Sequence, residues 1–313
     1  MRIEYHRTLI ADHVRNKVLF EALKDAIKPG QSVVTDIGAG SGLLGLMAAK
    51  LGAKEVYFYE MAEVGGVAED VIAASGFDNC FLMPCHSTEM QDPPPADIII
   101  SETLGNYAFE EDIITTLNDA RERFLAPGGV MLPNRVRQFA APVVSPRLDD
   151  ELNAWRKTGD MYGLDFSLPQ LMSCNNVYVR RLSSEELMPE SVRRWDEVNF
   201  SVANDTDRSG QLEWVFDRDA GVYGFAAWWE ADFGEGRTLS TGPGSPETHW
   251  EQLYFPLELA PIQLRAGERL TLEIGSQSSP EAGTHLAWRV QVAGTEGQMI
   301  KVQEMDLDKG YLP

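Results

Sequence analysis

The sequence predicts an α/β amino-terminal half followed by an antiparallel β half, and three observations carry that reading. Residues 1–133 alternate strand-like and helix-like segments, as the units of a parallel sheet do. A glycine-rich turn, Gly38-Ala39-Gly40-Ser41-Gly42, stands between the first strand and the helix after it. Beyond Pro133 the texture changes to β-like runs parted by Gly, Pro, Ser and Asn, which suits an antiparallel domain.

Taken in order, residues 8–27 place Leu9, Val14, Val18, Leu19, Ala22, Leu23 and Ile27 at helical spacing, and Pro29-Gly30 ends that helix. SVVTDIG (32–38) is a short β-branched run entering the glycine turn, and 41–53 reads as the following helix. A strand (55–60), a helix (64–75), a short strand (80–84) and a buried strand (96–102) come next. Helix 110–124 and the turn Ala126-Pro127-Gly128-Gly129 close the series. In the second half, 136–144, 213–217, 222–232, 248–259, 268–275 and 285–294 read as strands. Between the first two lies a less regular stretch, 145–198, with helical segments over 148–157 and 183–195. The expected domains are therefore 1–133 and 134–313, without internal repeats.

Composition narrows the function classes. Of 313 residues, 43% are hydrophobic and 24% charged, the profile of a soluble globular protein. No apolar run reaches the ~18 residues that suggest a membrane span. The start, MRIEYHRTLIADH, lacks a secretion signal, so the expected location is cytoplasmic, with no membrane partner. The formal charge is −21, which disfavours nucleic acid and suits a cationic ligand. Cys80, Cys85 and Cys174 have no metal-ligand spacing, and no metal is expected.

The glycine turn frees the backbone to bend sharply beside a ligand. It departs from the dinucleotide fingerprint: the third glycine comes one position early, and Leu43 stands where that glycine belongs. Glu60 ends the next strand, 60 − 38 = 22 residues after Gly38, where an acid accepts hydrogen bonds from a ribose diol. The pattern that begins at Asp36 and runs through Gly38, Gly40 and Gly42, with Glu60 after it, resembles class I methyltransferases that use S-adenosylmethionine. The resemblance implies a Rossmann-like domain that binds this cofactor through those residues.

The acceptor side lies in Ser101-Glu102-Thr103-Leu104-Gly105-Asn106-Tyr107-Ala108-Phe109-Glu110-Glu111, after the buried Ile98–Ile100 run. Glu110, Glu111 and Asp112 also suit the positive end of the next helix. Glu102, by contrast, ends an apolar run and needs a partner. Paired carboxylates suit a guanidinium, which stays protonated at neutral pH. Two unit positive charges ~5 Å apart repel by about 3 kcal/mol at an effective dielectric of ~20. Flanking acids therefore offset the approach of such an acceptor to a sulfonium.

Here the chain resembles the protein arginine N-methyltransferases. That family carries a double-glutamate loop after Ser-Glu, with its acids nine positions apart (111 − 102 = 9), which selects Glu102 and Glu111, with Glu110 as a substitute. Thr248-His249-Trp250 matches the family's loop in a C-terminal β-barrel, where the resemblance implies that Thr248 and Trp250 line the arginine channel. The run from His6 to Arg15 resembles its cofactor-covering helix, implying Arg15 on the cofactor carboxylate and Asp12 bonded to His249. Trp155 and Tyr162-Gly163-Leu164-Asp165 match the start of its dimerisation arm, which places an inserted helical arm at 155–195 and implies a homodimer.

The match departs in places. Only five residues precede His6, Leu9 and Ile113 replace methionines, and Asn106 and Glu110 replace aromatic residues. Ser87, in His86-Ser87-Thr88-Glu89, falls at the adenine edge where other members have glutamate. The expected acceptor is arginine in a protein or peptide. A small guanidino metabolite or peptide natural product is the alternative, and a silent module for basic tails ranks below both.

Overall fold

The computed structural model describes residues 3–258, 260–279 and 283–307. The outermost residues of the two expected domains, 1–2 and 308–313, and position 259 of the expected strand 248–259 lie outside the described residues. Among the described residues no helix is long and apolar enough to cross a membrane.

The helix expected over 8–27 is two helices, α1 (Ile3–Ala11) and α2 (His13–Ala26). Asp12 parts them, because its carboxylate caps α2 by accepting the Arg15 N–H at 2.9 Å. There follow β1 (Val33–Ile37), α3 (Leu43–Lys50), β2 (Glu55–Tyr59), α4 (Val64–Ser75), β3 (Cys80–Met83), a 3-10 turn (Ser87–Glu89), β4 (Ala96–Ser101), α5 (Ile113–Arg123) and β5 (Leu125–Leu132). All five strands are parallel, in the order β3-β2-β1-β4-β5. Ile37 pairs with Tyr59 on one side and Ser101 on the other. The carboxyl ends of β1, β2 and β4 are thus level, and Gly38, Glu60 and Glu102 emerge side by side.

Two expectations shift here. Helix α5 starts at Ile113 rather than 110, behind Asp112 at φ +52°, so Glu110 and Glu111 belong to the preceding loop. The Ala126–Gly129 turn lies inside β5, where the ladder with β4 slips register between Ala96 and Ile98.

The second half contains β6 (Arg135–Val143), helices α6 (Arg147–Leu152), α7 (Ala154–Tyr162) and α8 (Ser167–Cys174), then β7 (Tyr178–Arg180), β8 (Arg193–Asn199), β9 (Arg208–Val215), β10 (Ala220–Val222), β11 (Gly224–Asp232), β12 (Thr238–Ser240), β13 (Gln252–Pro256), β14 (Ile262–Leu264), β15 (Arg269–Ser279), β16 (Gly283–Ala293) and β17 (Met299–Asp306). These strands make antiparallel sheets of six, four and two, and the six-stranded path runs β7-β13-β11-β6-β8 with β12 on β11. Among the described residues no ladder closes them, so where a barrel was expected these residues form open sheets. The six- and four-stranded sheets meet face to face, with Trp214 at 5.8 Å from Phe225 and Trp288 at 5.0 Å from Phe255, ring to ring. The helix expected over 183–195 is also absent. Ser183 and Glu186 cap each other around one 3-10 turn, Pro189 follows, and the chain extends into β8 with Trp195 and Val198 buried.

Candidate active site

The glycine turn sits where β1 hands over to α3. Gly38, Gly40 and Gly42 all have left-handed backbones, at φ +71°, +57° and +87°. A Cβ on Gly38 would stand 2.4 Å from the Thr103 methyl, and one on Gly40 3.3 Å from the His6 ring. The turn is fixed from β2: the N–H groups of Gly38 and Ala39 both donate to the Tyr59 carbonyl at 3.0 Å. Glu60 completes the cradle, accepting from Gly40 N–H and Ala62 N–H at 2.8 Å each.

Above the turn lies a cavity of about 340 Å³, of the size ligand sites have. Gly38, Gly40, Glu60, Ser87, Arg15, Glu102, Glu111 and His249 line it together with Tyr5, His6, Tyr59, Cys85 and Thr116. Residues from both halves of the chain and from α1 therefore converge on one space.

Five residues expected at the site do not line it, and one of them, Asp12, reaches it only through its bond to His249. Asp36 lies beneath the turn, where its Oδ2 accepts Gly45 N–H at 2.8 Å and so ties α3 to β1. Burial first, against the Gly45 bond and the Arg15 charge, pushes its carboxyl up to about 7. Gly42 caps α3 rather than facing the cavity. Trp250 is buried, its indole donating to the Leu104 carbonyl at 2.7 Å and packing edge-on against Trp229 at 4.9 Å. Thr248 is buried behind it, its hydroxyl 3.3 Å from the Trp250 carbonyl. Trp250 buttresses the site because its indole is turned to the acidic loop's backbone, and Thr248 bonds the Trp250 carbonyl in turn.

That buttress explains why residues 102–111 are held. Trp229 Nε1–H donates to Gly105 O at 2.9 Å, Glu251 N–H donates to Asn106 Oδ1 at 3.0 Å, and Tyr107 Oη bonds Ser276 Oγ. Each bond contributes about 0.5–1.5 kcal/mol net, and all three reach from the β half to the parallel-sheet half.

Glu102 is buried and forms an ion pair with Arg15, through Nε and Nη2. Its Oε1 accepts Leu104 N–H at 3.3 Å. Burial pushes its carboxyl up, and Arg15 opposes that. Glu110 turns back on its own loop, its Oε1 accepting Tyr107 N–H at 2.9 Å. Of the two neighbouring acids, Glu111 is the one that lines the cavity. Although Glu111 as a residue stays exposed, partial burial of its carboxyl, then the charges of Glu110 and Glu60, pushes it up.

Asp12 reaches across to the β half. Its Oδ2 accepts both the backbone N–H and the Nδ1 of His249, at 2.8 Å each. Burial lowers the His249 pKa, with Asp12 acting in the opposite direction. The ring is therefore neutral near pH 7, and the Nδ1–H bond leaves Nε2 as the free acceptor.

Sequence reasoning missed Tyr5, His6, Tyr59, Cys85 and Thr116 as lining residues. Only His6 had a signal, its place within the covering-helix run. Among the described residues no His, Cys, Asp or Glu cluster could hold a metal.

A glycine turn at level strand ends, an acidic residue closing the second strand, and facing acids with a buried Asp–His pair define an S-adenosylmethionine-dependent methyltransferase. Residues 134–294 match the arginine methyltransferase oligomerization subdomain, and residues 11–133 match the ribosomal protein L11 methyltransferase family, PrmA. An arginine N(omega)-methyltransferase of Streptomyces achromogenes subsp. streptozoticus is 31% identical, over 87% of this chain and 75% of its own. Protein arginine N-methyltransferase 6 of Xenopus laevis is 29% identical, over 91% of this chain and 86% of its own. The fold matches a Trypanosoma brucei PRMT1 enzyme–prozyme heterotetrameric complex with AdoHcy at a TM-score of 0.83 and 23% identity, covering 97% of this chain and 98% of that one. The chain belongs to the protein arginine methyltransferase family.

Proposed function

We propose that this protein transfers a methyl group from S-adenosylmethionine to a guanidino nitrogen of arginine in a protein or peptide. The observation that carries the reading is one cavity holding Glu60 and the glycine turn together with Glu102, Glu111 and the His249–Asp12 pair. The cradle fits the cofactor: it is free of Cβ atoms at Gly38 and Gly40, and Ser87 Oγ and His6 Nε2 are buried beside it without a protein partner.

In this reading residues 1–133 bind the cofactor and 134–313 complete the acceptor side. Glu60 takes the ribose diol, Arg15 the cofactor's carboxylate and Ser87 the adenine edge, while Asp36 and Gly42 shape the turn from below. When bound, the cofactor supplies an electrophilic methyl group on a sulfonium. Glu102 and Glu111 hold the acceptor guanidinium, a role supported by the ion pair that Glu102 makes with the Arg15 guanidinium. Their negative charge offsets the repulsion between the two cations and raises electron density on the nitrogen. His249 Nε2 takes the proton released from that nitrogen, and Asp12 stabilises the resulting imidazolium.

The test is label transfer from S-adenosylmethionine to three acceptors: an arginine–glycine-rich peptide, its lysine twin and free arginine. Label in the arginine peptide alone is the expected result. Label in free arginine alone selects a second reading, a small-molecule acceptor, which the Streptomyces relative's name favours. No transfer to any of the three, with S-adenosylhomocysteine bound, overturns both.

A homodimer belongs to the same proposal. The arm exposes Met161, Tyr162 and Leu164 at 74%, 68% and 56%, more apolar surface than a solvated segment usually carries. A monomeric mass in sedimentation at micromolar concentration would refute it. A cytoplasmic location is supported by three free cysteines, which suit a reducing compartment, and the charge of −21 argues against nucleic-acid binding.

A further inference from the structure

The cavity wall carries groups of different chemistry. Arg15, Glu102 and Glu111 are charged, whereas Tyr59, Cys85, Ser87 and Thr116 are neutral, and among the neutral ones the hydroxyls of Tyr59 and Ser87 stand apart. Both residues are 1% exposed, and neither hydroxyl has a hydrogen-bond partner in the protein. Buried hydroxyls are rarely left unpaired, because the loss of water is then uncompensated.

Neither group is free to swing away. Tyr59 ends β2, and its ring stands edge-on to Phe124 at 5.3 Å and 77°. Ser87 opens the 3-10 turn, whose carbonyls Ser87 O and Met90 O accept from Arg123 at 3.0 and 2.7 Å. Arg123 is itself paired with Asp119 at 2.6 Å, so the nearest cation is already neutralised. An anionic ligand group gains little there. A flat neutral group with donors and acceptors on its edge satisfies both hydroxyls. Tyr59 also directly precedes Glu60, so its side chain starts next to the residue assigned to the ribose.

We infer that Tyr59, together with Ser87, reads the polar edge of the adenine ring, which makes it a specificity-determining residue of the cofactor site. This rests on assigning the cavity to S-adenosylmethionine. Adjacent strand residues face opposite sides of a sheet. Glu60 thus works from the rim while the Tyr59 side chain rises from the α5 side, and one strand end supplies contacts for two parts of the nucleoside.

The test uses calorimetry on the full chain with S-adenosylhomocysteine and two analogues, one lacking the exocyclic 6-amino group and one with carbon in place of ring N1. Tyr59→Phe keeps the ring and its packing on Phe124. It should weaken S-adenosylhomocysteine binding roughly 5- to 20-fold, as loss of one buried hydrogen bond does. The loss should vanish for the analogue that lacks the edge group Tyr59 touches. Unchanged affinity, within about twofold, overturns the inference, since the hydroxyl is then satisfied by water. Equal losses for all three ligands also overturn it, because only packing has then changed. If the wild-type protein binds none of the three, the cofactor assignment fails rather than the role of Tyr59.

Discussion

Raising the pH from about 5 to about 9 should weaken the fold through Asp36. This carboxyl is 1% exposed, one of its oxygens has no partner, and burial lifts it from 3.8 to about 7. A carboxyl raised in the folded state contributes its stability fully below the ordinary value and loses it as pH climbs through the folded one. A rise from 3.8 to about 7, at about 1.36 kcal/mol per pH unit, amounts to about 4 kcal/mol in total. Roughly 1.5 kcal/mol of that is already gone at pH ~5, so about 2.5–3 kcal/mol disappears between there and pH ~8. Asp36→Asn keeps an oxygen for the Gly45 N–H and cannot ionise, so its stability should not carry this slope. Urea unfolding followed by circular dichroism, run for both proteins across this pH range, measures the difference directly. A wild-type-minus-mutant difference constant within about 0.5 kcal/mol would refute the reasoning, since other titrations largely cancel in the subtraction.

Three further outcomes follow from the site. Glu102→Gln should leave S-adenosylhomocysteine affinity within about threefold while lowering turnover at least ~100-fold, because the fork that holds a guanidinium is lost; normal turnover would sink the acceptor assignment. Glu111→Gln should reduce turnover by more than ~10-fold, whereas Glu110→Gln should cost less than ~3-fold, since only Glu111 lines the cavity; side-by-side kinetics that rank them the other way would reassign the second acid. Asp12→Asn should keep the α2 cap and destabilise the fold by about 1.5–3 kcal/mol at the His249 contacts. Because Asp12 raises the pKa of His249, the acid limb of its pH–rate profile should also move to lower pH, and an unmoved limb would remove His249 as the base.

The parallel sheet was legible because β1 and β4 are compact β-branched runs, helical periods separate the strands, and the glycine turn marks the first crossover. Glu102, Glu111 and His249, which the family resemblance marked by the spacing of the acids and by a three-residue run, do line one cavity. What escaped was set by contacts between distant segments. Nothing near Asp12 in sequence marks a helix break, because the cap bond to Arg15 is reinforced by His249, 237 positions away. Residues 183–195 satisfy a helix start locally, with Ser183 and Glu186, but β8 wins because pairing with β6 buries Trp195 and Val198. Trp250 was expected as a lining residue because the family's Thr-His-Trp loop lines the channel, and only the packed structure shows its indole turned to the Leu104 carbonyl. Tyr59 gave no signal at all, because alternation along a strand says which face a residue takes and not whether that face meets a cavity.

One carboxylate, that of Asp12, ends the break between the first two helices and grips the His249 backbone and ring at once. The first two helices and the His249 loop therefore form a single mechanical part, though Asp12 and His249 lie 237 positions apart. Grafting the first dozen residues from a relative without its matching histidine loop would graft half a hinge. Recombination between relatives should succeed where crossovers keep these two pieces together and fail where they separate them.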